Sequence, residues 1–181
     1  TQLNSFNSIL EVGCAYGLNL RAIDKKIPGI DLEGIDINKK FLSEGVNILK
    51  RENISNIRLK YQSAKNLGSY DTGQFDVVFC DSVLMYIGSN NINQTLKEMV
   101  RISKKAVIIC EQHTKGNSFY DDKWIHNYDI LLISGAQRNI DIAINSKKYI
   151  NNIFIAIRNL RFIHDDYYKV GMLKIINNNF K

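Results

Sequence analysis

The chain has 181 residues, 45% of them hydrophobic, with 24 Lys and Arg against 18 Asp and Glu for a formal charge of +6. That length suits a single domain spanning residues 1–181 around one core and is too short for two ordinary domains. The longest apolar runs, such as Ala106 to Cys110 and Ile153 to Ile157, fall far short of the roughly 20 residues of a membrane-spanning helix, no signal peptide is visible, and Cys14, Cys80 and Cys110 form no CxxC pair, so a cytoplasmic protein with reduced, buried cysteines and no membrane partner is expected.

Apolar runs alternate with amphipathic stretches from the start of the chain. Ser8 to Val12 reads as a strand, Leu18 to Ile27 as a helix, Asp31 to Ile35 as a strand and Lys39 to Glu52 as a helix. Strands follow at Ile57 to Tyr61 and Phe75 to Cys80, then a helix at Ile92 to Ile102 and a strongly apolar strand at Ala106 to Cys110. Pro28-Gly29, Asp71-Thr72-Gly73 and Gly88-Ser89-Asn90-Asn91 punctuate these elements as turns or loops. The rhythm predicts an α/β fold, a doubly wound and mostly parallel sheet whose strands are buried on both faces.

Past Glu111 the pattern changes. Polar turn residues fill Gln112 to Ser118, and an aromatic cluster runs from Phe119 to Tyr128. The segments Ile140 to Ile144 and Ile153 to Ile157 are expected as antiparallel strands that complete the sheet, for seven in all. The positive charge is also concentrated late, because residues 1–137 carry 16 Lys and Arg against 15 Asp and Glu, and the remainder carries 8 against 3. Such a tail is a solvated basic surface or a contact for nucleic acid or a phosphorylated substrate.

In an open parallel sheet a ligand binds outside the carboxyl ends of the strands. The first such exit reads Ile9-Leu10-Glu11-Val12-Gly13-Cys14-Ala15-Tyr16-Gly17, a sharp turn with small residues at alternate positions that let backbone approach a ligand. The stretch resembles the first motif of class I S-adenosylmethionine methyltransferases, an acidic residue followed by Gly-x-Gly-x-Gly, with Ala15 at the middle glycine position. The resemblance implies a Rossmann-like fold, S-adenosylmethionine as cofactor and S-adenosylhomocysteine as product. It assigns Glu11 to the cofactor's amino end and Gly13, Cys14, Ala15 and Gly17 to the turn that lines its tail.

The same resemblance covers residues 8–111. Leu32-Glu33-Gly34-Ile35-Asp36-Ile37 places Asp36 about 20 residues beyond the turn, where a carboxylate matches two adjacent ribose hydroxyls, with Ile37 on the adenine face. Tyr61-Gln62-Ser63-Ala64 puts Ser63 in the slot that usually holds an acidic residue for the adenine amino group and keeps the small Ala64. Phe75-Asp76-Val77-Val78-Phe79-Cys80-Asp81 is similar to the family's fourth-strand segment, so that Cys80 and Asp81 face the methyl donor, while Asp76, at the strand's start, is structural.

Plainer roles stand beside these: Glu11 as an anion at a helix N-terminus, Asp36 as a helix cap, Cys80 and Cys110 as core. His113 and His126 are the candidate general bases for methyl transfer. No His, Cys, Asp and Glu grouping has metal-ligand spacing, so no metal is expected. Phe119, Tyr120, Trp124 and Tyr128 are either a substrate cover or core packing. The expected function is methyl transfer to an oxygen or nitrogen of a small-molecule acceptor. Two alternatives are an RNA methyltransferase that uses the basic tail through Arg158, Arg161 and Lys169, and a noncatalytic methyltransferase-like binding domain. The segment after the fourth strand lacks an Asn-Pro-Pro-Tyr signature, which argues against base methylation, and a dehydrogenase would need glycine at Ala15 and Leu18.

Overall fold

A computed structural model describes residues 6–112 and 118–128, together with the short strands Ala143–Ile144 and Ile153–Arg158. The first strands are β1 (Ser8–Val12), β2 (Asp31–Asp36), β3 (Ile57–Tyr61), β4 (Phe75–Asp81) and β5 (Ser103–Gln112). They pair in parallel in the order β3-β2-β1-β4-β5. Between these strands lie helices α1 (Leu18–Lys26), α2 (Lys39–Arg51) and α3 (Ser89–Ile102). Strand order reverses between β1 and β4, a topological switch point, and open α/β sheets take their ligands outside the carboxyl edge at such a point.

Alternation along each strand explains the two-faced burial. Ile9, Leu32, Val77, Phe79, Ala106 and Ile108 pack with Leu20 and Ile23 of α1 and Leu42 and Leu49 of α2. Their neighbours Leu10, Ile35, Val78, Cys80, Val107 and Ile109 pack with Ile92, Leu96, Met99 and Ile102 of α3. Successive side chains of a strand point to opposite faces, so the continuous apolar runs supply both layers.

Two local readings differ from the sequence expectation. Helix α3 begins at Ser89, within the segment expected as a loop, because Gly88 accepts from the N–H groups of Asn91 and Ile92 and the short polar residues form an exposed first turn. Ser and Asn suit helix starts as well as loops, which is why composition misplaces the boundary. The antiparallel geometry expected of the last two segments is also corrected. Ile153–Arg158 (β9) runs parallel to β5, and Ala143–Ile144 (β8) runs parallel to β9. The stretch between Gln112 and Ile153 exceeds the dozen or so residues that a parallel crossover needs.

Antiparallel pairing is found instead in a hairpin of Ser118–Tyr120 (β6) and Lys123–Ile125 (β7). Its turn residues Asp121 and Asp122 have φ of 50° and 57°, the left-handed pair that a two-residue hairpin turn demands. Among the described residues no helix is long and apolar enough to cross a membrane.

Asp76 and Glu33 are buried charges with structural partners. Asp76 accepts from the Asn7 N–H at 2.7 Å and from Lys105 at 3.1 Å, which ties the start of β4 to the start of β1. Glu33, at 2% exposure, is held by the Tyr70 hydroxyl at 2.6 Å and by Lys60 at 2.8 Å. Both meet the requirement that a buried carboxylate be bonded.

Candidate functional site

The turn after β1 is built on left-handed torsions. Gly13, Ala15 and Gly17 have φ of 78°, 46° and 73°, so the alternate small residues are those whose backbone leaves the ordinary region. The N–H groups of Gly13 and Cys14 both donate to the Ile35 carbonyl, at 2.7 and 3.0 Å, and the Gly17 N–H donates to the Cys14 carbonyl at 2.7 Å. Helix α1 then starts directly from Gly17 with no side-chain cap. Space is as restrictive as torsion at Gly13, where a Cβ would lie 2.1 Å from Val83 Cγ2.

Asp36, half-buried at the end of β2, faces this turn. Its Oδ2 accepts from the Ala15 N–H at 2.8 Å and its Oδ1 accepts from the Asn38 N–H at 2.7 Å. The plainer role as helix cap belongs to Asn38, whose side chain accepts from the N–H groups of Lys40 and Phe41. Each carboxylate oxygen keeps a second lone pair for another donor.

Glu11 is 2% exposed at the end of β1. Its Oε1 accepts from Asn19 Nδ2 at 2.8 Å, and its Oε2 is buried without a partner among the described residues. Burial pushes its carboxyl up to about 8; the Asn19 bond pulls it down, while Asp81 and Asp36 lie near enough to push it further up. Three carboxylates therefore converge at the carboxyl ends of β1, β2 and β4.

The remaining expected residues divide by what their side chains touch. Ile37 is 66% exposed, and Tyr61, opposite Asp36 in the β2–β3 register, is 60% exposed with the Lys39 ammonium 4.7 Å from its ring centroid. Ser63 accepts from the Lys65 N–H at 3.2 Å, and Ala64 packs against the α3-side core. The Asp81 carboxylate is half-buried and accepts from the Ser82 hydroxyl at 3.0 Å. The side chains of Cys14 and Cys80 lie in the core, where burial pushes both thiols up, so only their backbone borders the edge.

The two histidines part company. His113 lies outside the described residues, as do Arg161 and Lys169 of the basic tail. The His126 ring is completely buried, with Nε2 at 2.9 Å from the Ile87 carbonyl, and desolvation pulls its pKa down. The aromatic cluster splits likewise: Phe119 and Tyr120 are exposed, Trp124 is half-buried and stacks on His126, and Tyr128 belongs to the core.

Sequence reading missed Asn19, Val83 and Glu111. Asn19 lies one residue inside α1 and holds Glu11, Val83 packs on Gly13, and Glu111 accepts from the N–H groups of Val83 and Leu84 at 2.6 and 2.7 Å. A signal existed only for Glu111, a charged residue directly after an apolar run at the carboxyl edge, where sheets of this kind place their ligands.

Comparison with known proteins matches residues 9–106, more than half of the chain, to the family model described as "Methyltransferase domain". The chain is 29% identical over 79 residues to the ubiquinone biosynthesis O-methyltransferase of Acinetobacter baumannii, covering 44% of this chain and 32% of that protein. It is 33% identical over 51 residues to the tRNA (guanine-N(7)-)-methyltransferase of Mycobacterium avium, covering 28% of this chain and 20% of that protein. Among solved structures it is similar to an O-methyltransferase from a trans-AT PKS multienzyme of Brevibacillus brevis, in complex with S-adenosyl-L-homocysteine. That likeness has a TM-score of 0.59 at 15% identity, covering 75% of this chain and 48% of that one. The chain thus spans about a third or less of the length of the curated relatives it matches.

Proposed function

The chain belongs to the class I S-adenosylmethionine-dependent methyltransferase family, and on that premise we propose that it transfers a methyl group to an oxygen or nitrogen atom of a small molecule. The observation that carries this reading is the union of Asp36 with the Gly13–Gly17 turn through the Ala15 N–H, beside the buried and unpartnered Glu11 oxygen. Residues at this edge fit the cofactor. An orphaned buried carboxylate oxygen suits an ammonium group, and three converging carboxylates favour a cationic ligand.

When bound, S-adenosylmethionine supplies an electrophilic methyl carbon on a cationic sulfur. Glu11, steadied by Asn19, holds the amino end. Asp36 accepts from the ribose hydroxyls with the lone pairs its backbone donors leave, and Ile37 and Tyr61 offer apolar faces to the base. Ser63 and Ala64 border the adenine, Asp81 stands at the methyl-donor side, and Cys80 contributes backbone alone. Chemistry of this kind depends mainly on holding the nucleophile in line, and orientation supplies up to roughly 7–11 kcal/mol in favourable systems. For a protonated acceptor we assign the base to His113, which directly follows β5, and not to the buried His126.

Support for an oxygen acceptor comes from the similarity to O-methyltransferases. A second reading, RNA methylation, draws on the basic tail and on the similarity to a tRNA methyltransferase. Calorimetric titration with S-adenosylhomocysteine tests the cofactor assignment, with binding expected; its failure favours a noncatalytic domain. Salt-dependent RNA binding that is lost on neutralising Arg158, Arg161 and Lys169 would favour the RNA reading.

A further inference from the structure

Glu111 stands outside the roles assigned so far. It lies near the end of β5 at 3% exposure, with Oε1 bonded to two backbone N–H groups and Oε2 buried without a partner among the described residues. The two donors, Val83 and Leu84, begin the single 3-10 turn Leu84–Tyr86 that follows β4. That turn has no side-chain cap of its own, because Val83 occupies the cap position and carries no oxygen. A helical turn leaves its first donors unsatisfied, and here a carboxylate from a distant strand satisfies them.

The far end of the turn is fastened as well. The Ile87 N–H donates to the Leu84 carbonyl at 3.0 Å, and the Ile87 carbonyl meets His126 Nε2. At the Glu111 end, Val83 presses its side chain onto Gly13, in the space that a Cβ there would fill. Glu111, Val83 and Gly13 therefore form a chain of contacts from β5, across the exit of β4, to the turn after β1.

We propose that Glu111 is a positioning residue of the cofactor site: by capping the turn from β5 it holds Val83 against Gly13 and so fixes the backbone on which the amino-acid tail of the adenosyl ligand rests. The inference rests on the S-adenosylmethionine reading given above. The side chain is suited to the task because one of its oxygens takes both N–H bonds, leaving neither donor of the turn buried without an acceptor.

The test uses Glu111→Ala, Glu111→Gln and the unaltered chain, with S-adenosylhomocysteine as probe, at a temperature well below each unfolding midpoint. Glu111→Ala should raise the dissociation constant at least about tenfold and speed amide exchange at Val83 and Leu84. Glu111→Gln, whose amide oxygen accepts the same two bonds, should stay within about threefold of the unaltered chain. A merely structural Glu111 would lower the unfolding midpoint and leave the dissociation constant unchanged, which overturns the proposal. Should Glu111→Ala fail to fold, Val83→Ala breaks the same chain of contacts at its last link, and unweakened binding by that variant overturns the proposal equally. If the unaltered chain does not bind the probe, the cofactor reading itself fails and takes this inference with it.

Discussion

The backbone N–H of Ala15 donates to Oδ2 of Asp36 at 2.8 Å, so the turn after β1 and the carboxylate that ends β2 act as one hydrogen-bonded unit. A ligand that bridges the two meets a preformed surface. Its binding need not order the turn first, which lowers the entropic cost of association.

Removing that carboxylate should therefore be felt mainly in ligand affinity. Asp36→Ala is expected to weaken S-adenosylhomocysteine binding by about 1.5–3 kcal/mol, the range for a hydrogen bond to a charged group, with the circular dichroism spectrum preserved. Titration calorimetry reads the change, and an unaltered affinity would contradict the ribose assignment.

Ala15 holds φ of 46°, a torsion that costs an L-residue with a Cβ roughly 1–2 kcal/mol. Ala15→Gly should release that strain and, after the entropic penalty of glycine, stabilise the domain by about 0.5–1 kcal/mol. Ala15→Val should act in the opposite direction. Urea midpoints decide, and a lower midpoint for the glycine variant would refute the strain argument.

Gly13 is constrained by both torsion and space. A Cβ there falls 2.1 Å from Val83 Cγ2 and 2.8 Å from Cγ1, so Gly13→Ala should cost about 1–3 kcal/mol. Val83→Ala placed in the same chain should recover part of that loss, since it clears the collision but leaves φ at 78°. A double-mutant cycle with no coupling between the two positions would show that they do not touch.

Burial raises the Glu11 carboxyl from 4.5 to about 8, which sets the sign of a pH effect. The folded, ligand-free chain holds this proton more tightly than the unfolded chain does. Its contribution is fully present below pH 4.5 and declines as pH rises toward about 8. Glu111, raised to about 7 by burial, adds a slope of the same sign. Glu11→Gln should flatten the decline in part. An ammonium group beside Glu11 favours the ionised carboxylate, so S-adenosylhomocysteine should bind with proton release between pH 6 and 8, read by calorimetry in buffers of differing ionisation enthalpy. Proton-neutral binding would separate Glu11 from the ligand's amino end.

Much of the fold is legible in the chain because its signals are local. Runs such as Val77-Val78-Phe79-Cys80 announce strands covered on both faces, and Gly13, Ala15 and Gly17 mark a turn whose torsions exclude larger side chains. Asp36 is found by its distance from that turn along a βαβ unit, a spacing that the unit itself sets. The misplaced start of α3 has the same origin, since Ser89, Asn90 and Asn91 serve a loop and a helix start equally well.

What amino-acid order determined by itself is the parallel core of five strands, the carboxyl edge that carries the glycine turn and the backbone groups at that edge, because each depends on periodicity or spacing within a few tens of residues. Only the tertiary structure decided which polar groups are enclosed: the orphaned oxygen of Glu11, the sealed ring of His126, and the reach of Glu111 across to Val83 and Leu84. Those outcomes depend on which layers close over a side chain. Segments far apart in the chain meet by packing, and no spacing within one segment records that meeting.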